Sequence, residues 1–180
     1  MPPFLRPPPD DAFDSKEAGL KFAQTWARAE GYAIVIYASS KKGRYNYLRC
    51  DRGSKYRNTR KITDEDRQRK TSTTKIDCKF RARLVCNSEG GWELSVQEGA
   101  HTDHGPTESC LSHSIQRRFD ALTTERVLEL ARTGSRVRQV VSLLQEQVPP
   151  VLVTSRDVSN LISKYRRQLL EGRPPAEALL

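Results

Sequence analysis

The sequence lacks the features of membrane and secreted proteins. It has no run of the roughly 18 apolar residues that a membrane-spanning helix needs, and no basic amphipathic helix with a broad apolar face covers residues 32–83, where the basic residues concentrate. Its four cysteines are too few for a disulfide-rich secreted scaffold. Residues 1–11 are rich in proline and lack the apolar core of a secretory signal. These absences predict an intracellular protein.

Positive charge, in contrast, is abundant and concentrated. Lys and Arg number 31 against 22 Asp and Glu, which gives a formal net charge of +9. Residues 32–83 alone hold 16 basic and five acidic side chains, so the rest of the chain is slightly acidic. Such a local charge attracts polyanions because binding releases their condensed counterions. A nucleic acid is therefore the expected partner and the nucleus the expected location, with an acidic protein as the alternative partner.

A series of residues of metal-ligand type runs through the basic region and beyond it. The four residues are Cys50, Cys78, His101 and His104. Two thiolates and two imidazoles form a complete tetrahedral set for Zn²⁺, and a set without a vacant position is typical of a structural ion rather than a catalytic one. We therefore predict one structural Zn²⁺. Because a small sheet buries little apolar surface, such an ion can contribute much of its folding free energy.

Three further Cys and His residues stand outside this series. Cys86 follows Leu84 and Val85 in an apolar run and is predicted to be a small core residue. Cys110 could replace one of the histidines as a ligand, and His113 is a reserve ligand. The predicted set remains the four residues named above.

Hydrophobic patterning predicts an α+β fold. Residues 1–11 are expected to be an extended or disordered Pro-rich lead. After it we expect a helix over 15–29 and strands over 33–38, 45–50, 78–86 and 92–97, forming a four-stranded antiparallel, zinc-stapled sheet. Residues 58–75 are expected to be a loop. Helical runs that begin near Thr123, Ser135 and Thr154 predict a three-helix subdomain similar to a helix-turn-helix. The expected domains are therefore 12–107 and 108–180.

Several segments together resemble a known DNA-binding domain. They are Gly31–Tyr37, Ser39–Lys42, Tyr47–Gly53, Cys78–Phe80, Trp92–Val96 and His101–His104. In this order they resemble the FAR-RED IMPAIRED RESPONSE DNA-binding domain of the WRKY and glial-cells-missing zinc superfamily, found at the N-terminus of Mutator-like transposases. The resemblance covers roughly residues 11–107, and the remainder is similar to the helical segment that follows this domain in such transposases.

The resemblance implies sequence-specific binding of double-stranded DNA, by a transcription regulator derived from a transposase or by the DNA-binding region of a transposase. The strand at 33–42 would enter the major groove edge-on. Strand alternation predicts Ile34 and Ile36 on one face and Val35, Tyr37 and Ser39 on the other. The expected DNA-binding residues are Tyr37, Ser39, Ser40, Lys41, Lys42, Arg44, Arg49, Arg52, Lys55 and Arg57. For Tyr37, a half-buried structural role is the alternative.

An enzyme is not expected, because the acidic run Asp64–Asp66 has no supporting strands and two-metal catalysis needs a carboxylate cluster on a scaffold. A fragment of an active transposase and a zinc-stabilised protein-interaction module remain alternatives. The basic residues in 60–61 and 67–70 could form a nuclear localisation patch. The last helical run carries several polar and basic residues, which could form a second DNA-contacting face or belong to a packing module. They are Arg156, Asn160, Lys164, Arg166 and Arg167.

Overall fold

The computed structural model describes residues 4–40, 42–59, 61–63, 65–66, 68, 73–148 and 150–170. Lys41, Asp64 and most of the predicted nuclear localisation patch lie outside the described residues. The chain divides into two compact units, Met1–Cys110 and Leu111–Leu180, whereas we predicted a division after residue 107. Within the part of the chain that the structure describes, no helix has the length and apolar character needed to cross a bilayer.

The first unit contains a five-stranded antiparallel sheet and one α-helix. Its strands have the spatial order β1-β5-β4-β3-β2. Their bounds are β1 Asp11–Phe13, β2 Ile34–Ser39, β3 Tyr45–Cys50, β4 Arg81–Cys86 and β5 Trp92–Glu98. The prediction of four strands was wrong by one, because β1 is too short to show an alternating pattern and forms only by pairing with β5. In the described part of 58–75 there is neither helix nor strand.

Helix α1 (Lys16–Ala29) covers one face of this sheet. Ser15 caps it by accepting a hydrogen bond from the Ala18 amide, at 3.2 Å. Ala23 and Ala27 are fully buried in the core. A Cβ at Gly19 would lie only 2.7 Å from Leu84 Cδ1. The small residues of α1 therefore allow it to pack closely on the sheet and leave the opposite face uncovered by this helix.

The expectation of a disordered lead is wrong for residues 4–10. Leu5 is only 3% exposed and belongs to the core of the first unit. The Arg6 carbonyl accepts hydrogen bonds from the Tyr32 hydroxyl at 3.0 Å and from Trp26 Nε1 at 3.3 Å. Asp10 accepts one from the Val96 amide at 2.8 Å. Prolines keep this segment extended, and aromatic donors from the folded unit then fix it in place.

A β-bulge in β2 changes the predicted alternation of side chains. Ile36 pairs with Leu48, but Ala38 pairs with Tyr47, which leaves Tyr37 as the extra residue. Directly paired residues point to the same face of a sheet, so Ser39, which pairs with the fully buried Asn46, lies on the core-facing side. The predicted placement of Ser39 on the same face as Tyr37 was wrong because a bulge resets the two-residue period.

The second unit contains three α-helices preceded by two short 3₁₀ turns at Cys110–Ser112 and Ser114–Arg117. The helices are α2 (Ala121–Arg132), α3 (Val137–Gln145) and α4 (Ser155–Leu169). We predicted three helical runs, but α2 begins earlier than expected, because Asp120 caps it by accepting a hydrogen bond from the Thr123 amide at 2.7 Å. The core of this unit is aliphatic and consists of Val127, Val140, Leu144, Val153, Val158 and Ile162.

Candidate metal centre and adjoining basic cleft

The predicted ligands Cys50, Cys78, His101 and His104 converge, with one donor atom of each within 4.8 Å of all the others. His104 Nε2 lies 3.5 Å from Cys50 Sγ, 3.3 Å from Cys78 Sγ and 3.2 Å from His101 Nδ1. Cys78 Sγ lies 3.5 Å from His101 Nδ1. Zn–S bonds of about 2.3 Å and Zn–N bonds of about 2.0–2.1 Å imply tetrahedral edges of about 3.3–3.8 Å. These residues therefore fit one tetrahedral metal ion.

The four predicted ligands come from three parts of the sheet unit. Cys50 ends β3, Cys78 lies in the segment leading into β4, and both cysteines are fully buried. The two histidines follow β5, and between them Asp103 adopts a left-handed backbone conformation with φ of 62°. Aspartate tolerates this conformation better than most residues, and the resulting turn brings both imidazoles to the same point.

The orientation of each imidazole has a physical cause. His104 Nδ1 lies 3.1 Å from the Gly105 carbonyl oxygen, to which it can donate, and this contact directs Nε2 toward the cluster. The His101 ring stacks on Phe80 with centroids 4.7 Å apart and meets Tyr32 edge-on at 4.3 Å. Its Nε2 is buried without a hydrogen-bond partner in the structure. Aromatic packing, rather than a hydrogen bond, thus directs Nδ1 of His101 toward the cluster.

Three of the four side chains, those of Cys50, Cys78 and His104, affect one another's protonation in the cluster. A hydrogen bond with Cys78, together with burial, raises the pKa of Cys50, whereas the same hydrogen bond lowers the pKa of Cys78. The hydrogen bond to Cys78 also raises the pKa of His104. One thiolate is therefore held between proton donors. A dication at this point would take the place of these protons and leave both sulfurs as thiolates.

The alternative ligands lie elsewhere. Within the described residues the cluster contains neither Cys110, whose Sγ lies 3.9 Å from the Arg28 carbonyl, nor His113, which is buried in the second unit. Cys86 is half-buried at the end of β4, with its Sγ 3.6 Å from the Asn87 carbonyl. It is therefore less buried than a core residue of the first unit.

A basic cleft with a volume of about 710 Å³ opens beside the segments that carry the two cysteines. Five basic side chains line it, together with Ser54, Tyr56 and one acidic residue, Asp77. The five are Arg49, Lys55, Arg57, Lys75 and Arg81. The first three are among the predicted DNA-binding residues, whereas Lys75 and Arg81 were missed. Their position shortly before and after Cys78 is the signal that could have identified them.

The missed residues connect the cleft to the metal ligands. Arg81 donates hydrogen bonds to the carbonyls of Cys78 at 2.9 Å and Phe80 at 2.7 Å. The Lys75 ammonium donates to the Asp51 carbonyl, next to Cys50. A Cβ at Gly53 would lie 3.0 Å from the carbonyl oxygens of both Cys50 and Cys78. The backbone segments that carry Cys50 and Cys78 therefore pack closely against each other beside the cleft.

The charge of the cleft remains strongly positive. Its acidic residue, Asp77, pairs with Lys79 at 2.7 Å, and this hydrogen bond lowers the pKa of Asp77.

Arg49 and Arg81 lie over the ring of Tyr37, with guanidinium carbons 5.2 and 5.8 Å from its centroid. Tyr37 is 44% exposed and also packs against Tyr47, at 6.0 Å between ring centroids. It therefore holds two cations of the sheet surface in position while remaining open to solvent.

Most of the predicted DNA-binding residues lie either near the turn between β2 and β3 or in the cleft. Lys42 and Arg44 are exposed in the turn between β2 and β3, where Ser40 accepts a hydrogen bond from the Tyr45 amide at 3.2 Å. Ser39 is also exposed, but its hydroxyl donates to Asn46 at 2.9 Å. Arg49, Lys55 and Arg57 belong to the cleft instead. Arg52 is half-buried and does not line the cleft, and Lys41 lies outside the described residues.

Comparison with known proteins gives two distant relatives. No family model and no solved structure matches the chain. The chain is 28% identical over 186 residues to the PKS-NRPS hybrid synthetase cheA of Chaetomium globosum, covering 96% of this chain but 4% of that protein. It is 25% identical over 171 residues to Protein FAR1-RELATED SEQUENCE 5 of Arabidopsis thaliana, covering 89% of this chain and 22% of that protein. The chain therefore spans less than a quarter of either relative.

Proposed function

We propose that the first unit is a DNA-binding module that holds one structural Zn²⁺ through Cys50, Cys78, His101 and His104. The observation that carries the proposal is the tetrahedral spacing of these donors next to a cleft lined by five cations. When bound, Zn²⁺ supplies a four-way cross-link without an open coordination position. The chain's own residues then present positive charge on a rigid backbone.

Double-stranded DNA is the proposed ligand of this surface. Strand β2 lies at one edge of the sheet, so its outer side is available to enter a major groove about 12 Å wide. Lys42 and Arg44 extend from the adjoining turn, and Lys55, Arg57 and Lys75 lie in the cleft. We assign phosphate contacts to these lysines and arginines and base contacts to the exposed residues of β2. Among them, Tyr37 also positions Arg49 and Arg81.

The similarity to FAR1-RELATED SEQUENCE 5 supports the resemblance to FAR-RED IMPAIRED RESPONSE domains. On this basis we propose a nuclear transcription regulator derived from a transposase, or the DNA-binding region of a transposase. The match to the hybrid synthetase covers too little of that enzyme to bring its activity to this chain. Among the described residues, the four-ligand cluster is the one group of His, Cys and acidic side chains spaced to hold a metal ion. Its closed donor set supports a binding role.

The test is the salt dependence of binding to a fluorescein-labelled 30-base-pair duplex of random sequence, with Zn²⁺ present and after chelation. We expect binding with Zn²⁺ that weakens steeply between about 50 and 200 mM salt, and loss of binding after chelation. The double variant Arg57→Gln/Lys75→Gln should lower the slope of log affinity against log salt by about 2.

The matched control is Lys21→Gln/Arg28→Gln, which removes the same charge from exposed positions on α1. It should leave the slope unchanged. Equal effects of the two double variants, or absence of duplex binding with Zn²⁺ present, would overturn the proposal. Equal affinity for polyglutamate would point to an acidic protein partner instead.

A further inference from the structure

Helix α4 of the second unit presents two opposite faces of different chemistry. Val158 and Ile162 are buried in the aliphatic core, with Tyr165 half-buried on the same side. The residues at 156, 160, 163, 164 and 167 follow the spacing that places side chains on one face of an α-helix. All five are exposed, and they lie opposite the buried residues. We call this face the α4 stripe; it consists of Arg156, Asn160, Ser163, Lys164 and Arg167.

The α4 stripe carries only positive charge. The helix has one acidic residue, Asp157, which lies outside the stripe. Its carboxylate is already engaged, because it accepts a hydrogen bond from the Thr154 amide at 2.9 Å and pairs with Arg117 at 3.4 Å. None of Arg156, Lys164 and Arg167 forms an ion pair with another described residue. Three cations on an exposed face thus lack an internal acidic partner among the residues described.

A second basic surface adjoins the same helix. A cavity of about 350 Å³ opens between α4 and the turn that joins α2 to α3. Arg136 and Arg166 line it, together with the hydroxyl-bearing Ser135, Ser159 and Ser163, and no acidic residue does. Guanidinium and hydroxyl groups are the donors that proteins use for phosphate oxygens. The surface beside the α4 stripe is therefore also suited to bind the phosphate backbone of a nucleic acid.

From these observations we propose that α4 is a recognition helix, which lies in the major groove of double-stranded DNA and forms a contact separate from that of the first unit. From Arg156 to Arg167 the stripe is about 16 Å long, and an α-helix fits a groove about 12 Å wide. Arg156, Lys164 and Arg167 contact phosphates or guanine edges. Asn160, in the middle of the stripe, offers the amide donor and acceptor that match adenine. An acidic protein lacks the regular phosphate spacing that would use both the stripe and the adjoining cavity.

The connection between α3 and α4 keeps this helix in a defined position. The Val151 amide donates to the Leu144 carbonyl at 3.1 Å, and Gln145 Nε2 donates to the Val153 carbonyl at 3.3 Å. Val153 itself is buried in the core. Thr154 then begins α4, with its side chain accepting a hydrogen bond from the Asp157 amide at 3.3 Å. A helix fixed at its start and along its buried face can present its stripe without rearrangement.

The test uses the full chain with Zn²⁺ and the random 30-base-pair duplex. Arg156→Gln/Lys164→Gln should weaken binding at about 100 mM salt by roughly tenfold and lower the salt slope by about 2. The control Arg118→Gln/Arg126→Gln removes the same charge from exposed positions of the second unit outside α4, and should change affinity by less than about twofold. Arg167→Gln is a second variant on the stripe, with an expected slope change of about 1.

Combination with the cleft variants separates this proposal from the function of the first unit. If both surfaces contact DNA, the losses from Arg57→Gln/Lys75→Gln and from Arg156→Gln/Lys164→Gln should multiply. Loss of binding by the cleft variant alone, with the stripe variant equal to its control, would retain the first proposal and overturn this one. Loss of binding by the stripe variant alone, with the cleft variant equal to its control, would retain this proposal and overturn the first.

Asn160→Ala tests base contact without a change of charge. The parent protein first selects preferred duplexes from a random pool. We expect the variant to lose roughly fivefold or more of the preference for those duplexes, with an unchanged salt slope. Unchanged preference would overturn the assignment of Asn160 as a base-contacting residue, and a lowered salt slope would contradict it as well.

Discussion

The two units of this protein form cores of different kinds. The core of the sheet unit includes the buried Cys50 and Cys78, and the rings of Tyr32 and Phe80 pack against the candidate ligand His101. The core of the helical unit is built around aliphatic side chains, with no cysteine among its buried residues. If the proposed Zn²⁺ binds, the sheet unit depends on this ion for stability, whereas the helical unit depends on close packing of aliphatic side chains. The difference predicts that the two units can be destabilised independently.

The largest expected effect is that of metal removal on the sheet unit. Chelation, or Cys78→Ser, should unfold this unit, because structural zinc sites contribute on the order of 10 kcal/mol to small domains. Both tryptophans, Trp26 and Trp92, lie in this unit, so tryptophan fluorescence reports its unfolding. Hydrogen exchange of peptides from α2, α3 and α4 should stay slow at the same time. Cys86→Ser is the matched control, and a similar loss of structure in it would contradict the assignment of the ligands.

A truncation in the aliphatic core should act on the helical unit alone. Leu144 is fully buried, and Leu144→Ala should lower the free energy of unfolding of this unit by about 2–5 kcal/mol through lost burial and a residual cavity. Circular dichroism at 222 nm during urea denaturation measures this change, while tryptophan fluorescence should show an unchanged sheet unit. The neighbouring Leu143 is 46% exposed, so Leu143→Ala should have a much smaller effect. Equal effects would indicate that the core is assigned to the wrong residues.

The smallest effect concerns a helix end rather than a core. The Thr154 side chain accepts a hydrogen bond from the Asp157 amide, so Thr154→Ala should lower the stability of the helical unit by about 1 kcal/mol. Faster hydrogen exchange in the first turn of α4 should accompany the loss. Ser155→Ala alters the next residue, which is exposed and makes no cap, and should be close to neutral. A neutral Thr154→Ala would mean that packing alone defines the start of α4.

Elements defined by the pattern of neighbouring residues could be predicted from the sequence, whereas elements that depend on distant partners could not. The strands at 45–50 and 92–98 and the helix at 16–29 carry their own periodic patterns, so their positions followed from neighbouring residues. The convergence of four candidate ligands was foreseeable because thiols and imidazoles have few other common roles in such a series. In contrast, the bulge at Tyr37 and the pairing of β1 depend on partner strands. No local pattern encodes either of them.

The features that were missed at and near the candidate site also depend on contacts between distant parts of the chain. Lys75 and Arg81 are separated from Arg49 by a long stretch of chain, and only the folded backbone brings them into one cleft. The position of Ser39 was predicted from strict alternation, which one extra residue shifts by one. Packing of residues 4–10 was missed because Arg6 is held through its carbonyl oxygen, which every residue type has. A hydrogen bond to a backbone carbonyl does not require a particular residue type, so the sequence does not predict it.

The distance along the chain between Cys50 and Cys78 has an evolutionary consequence. Both ends of the intervening segment are anchored at the same cluster, so its length is not dictated by the sheet. The entropy of closing a flexible loop grows only with the logarithm of its length, and doubling it costs about 0.6 kcal/mol. Changes in the length of this segment that keep Gly53 and Lys75 in place therefore cost little folding free energy. The segment is the place where descendants of one ancestor could diverge in the ligands they recognise.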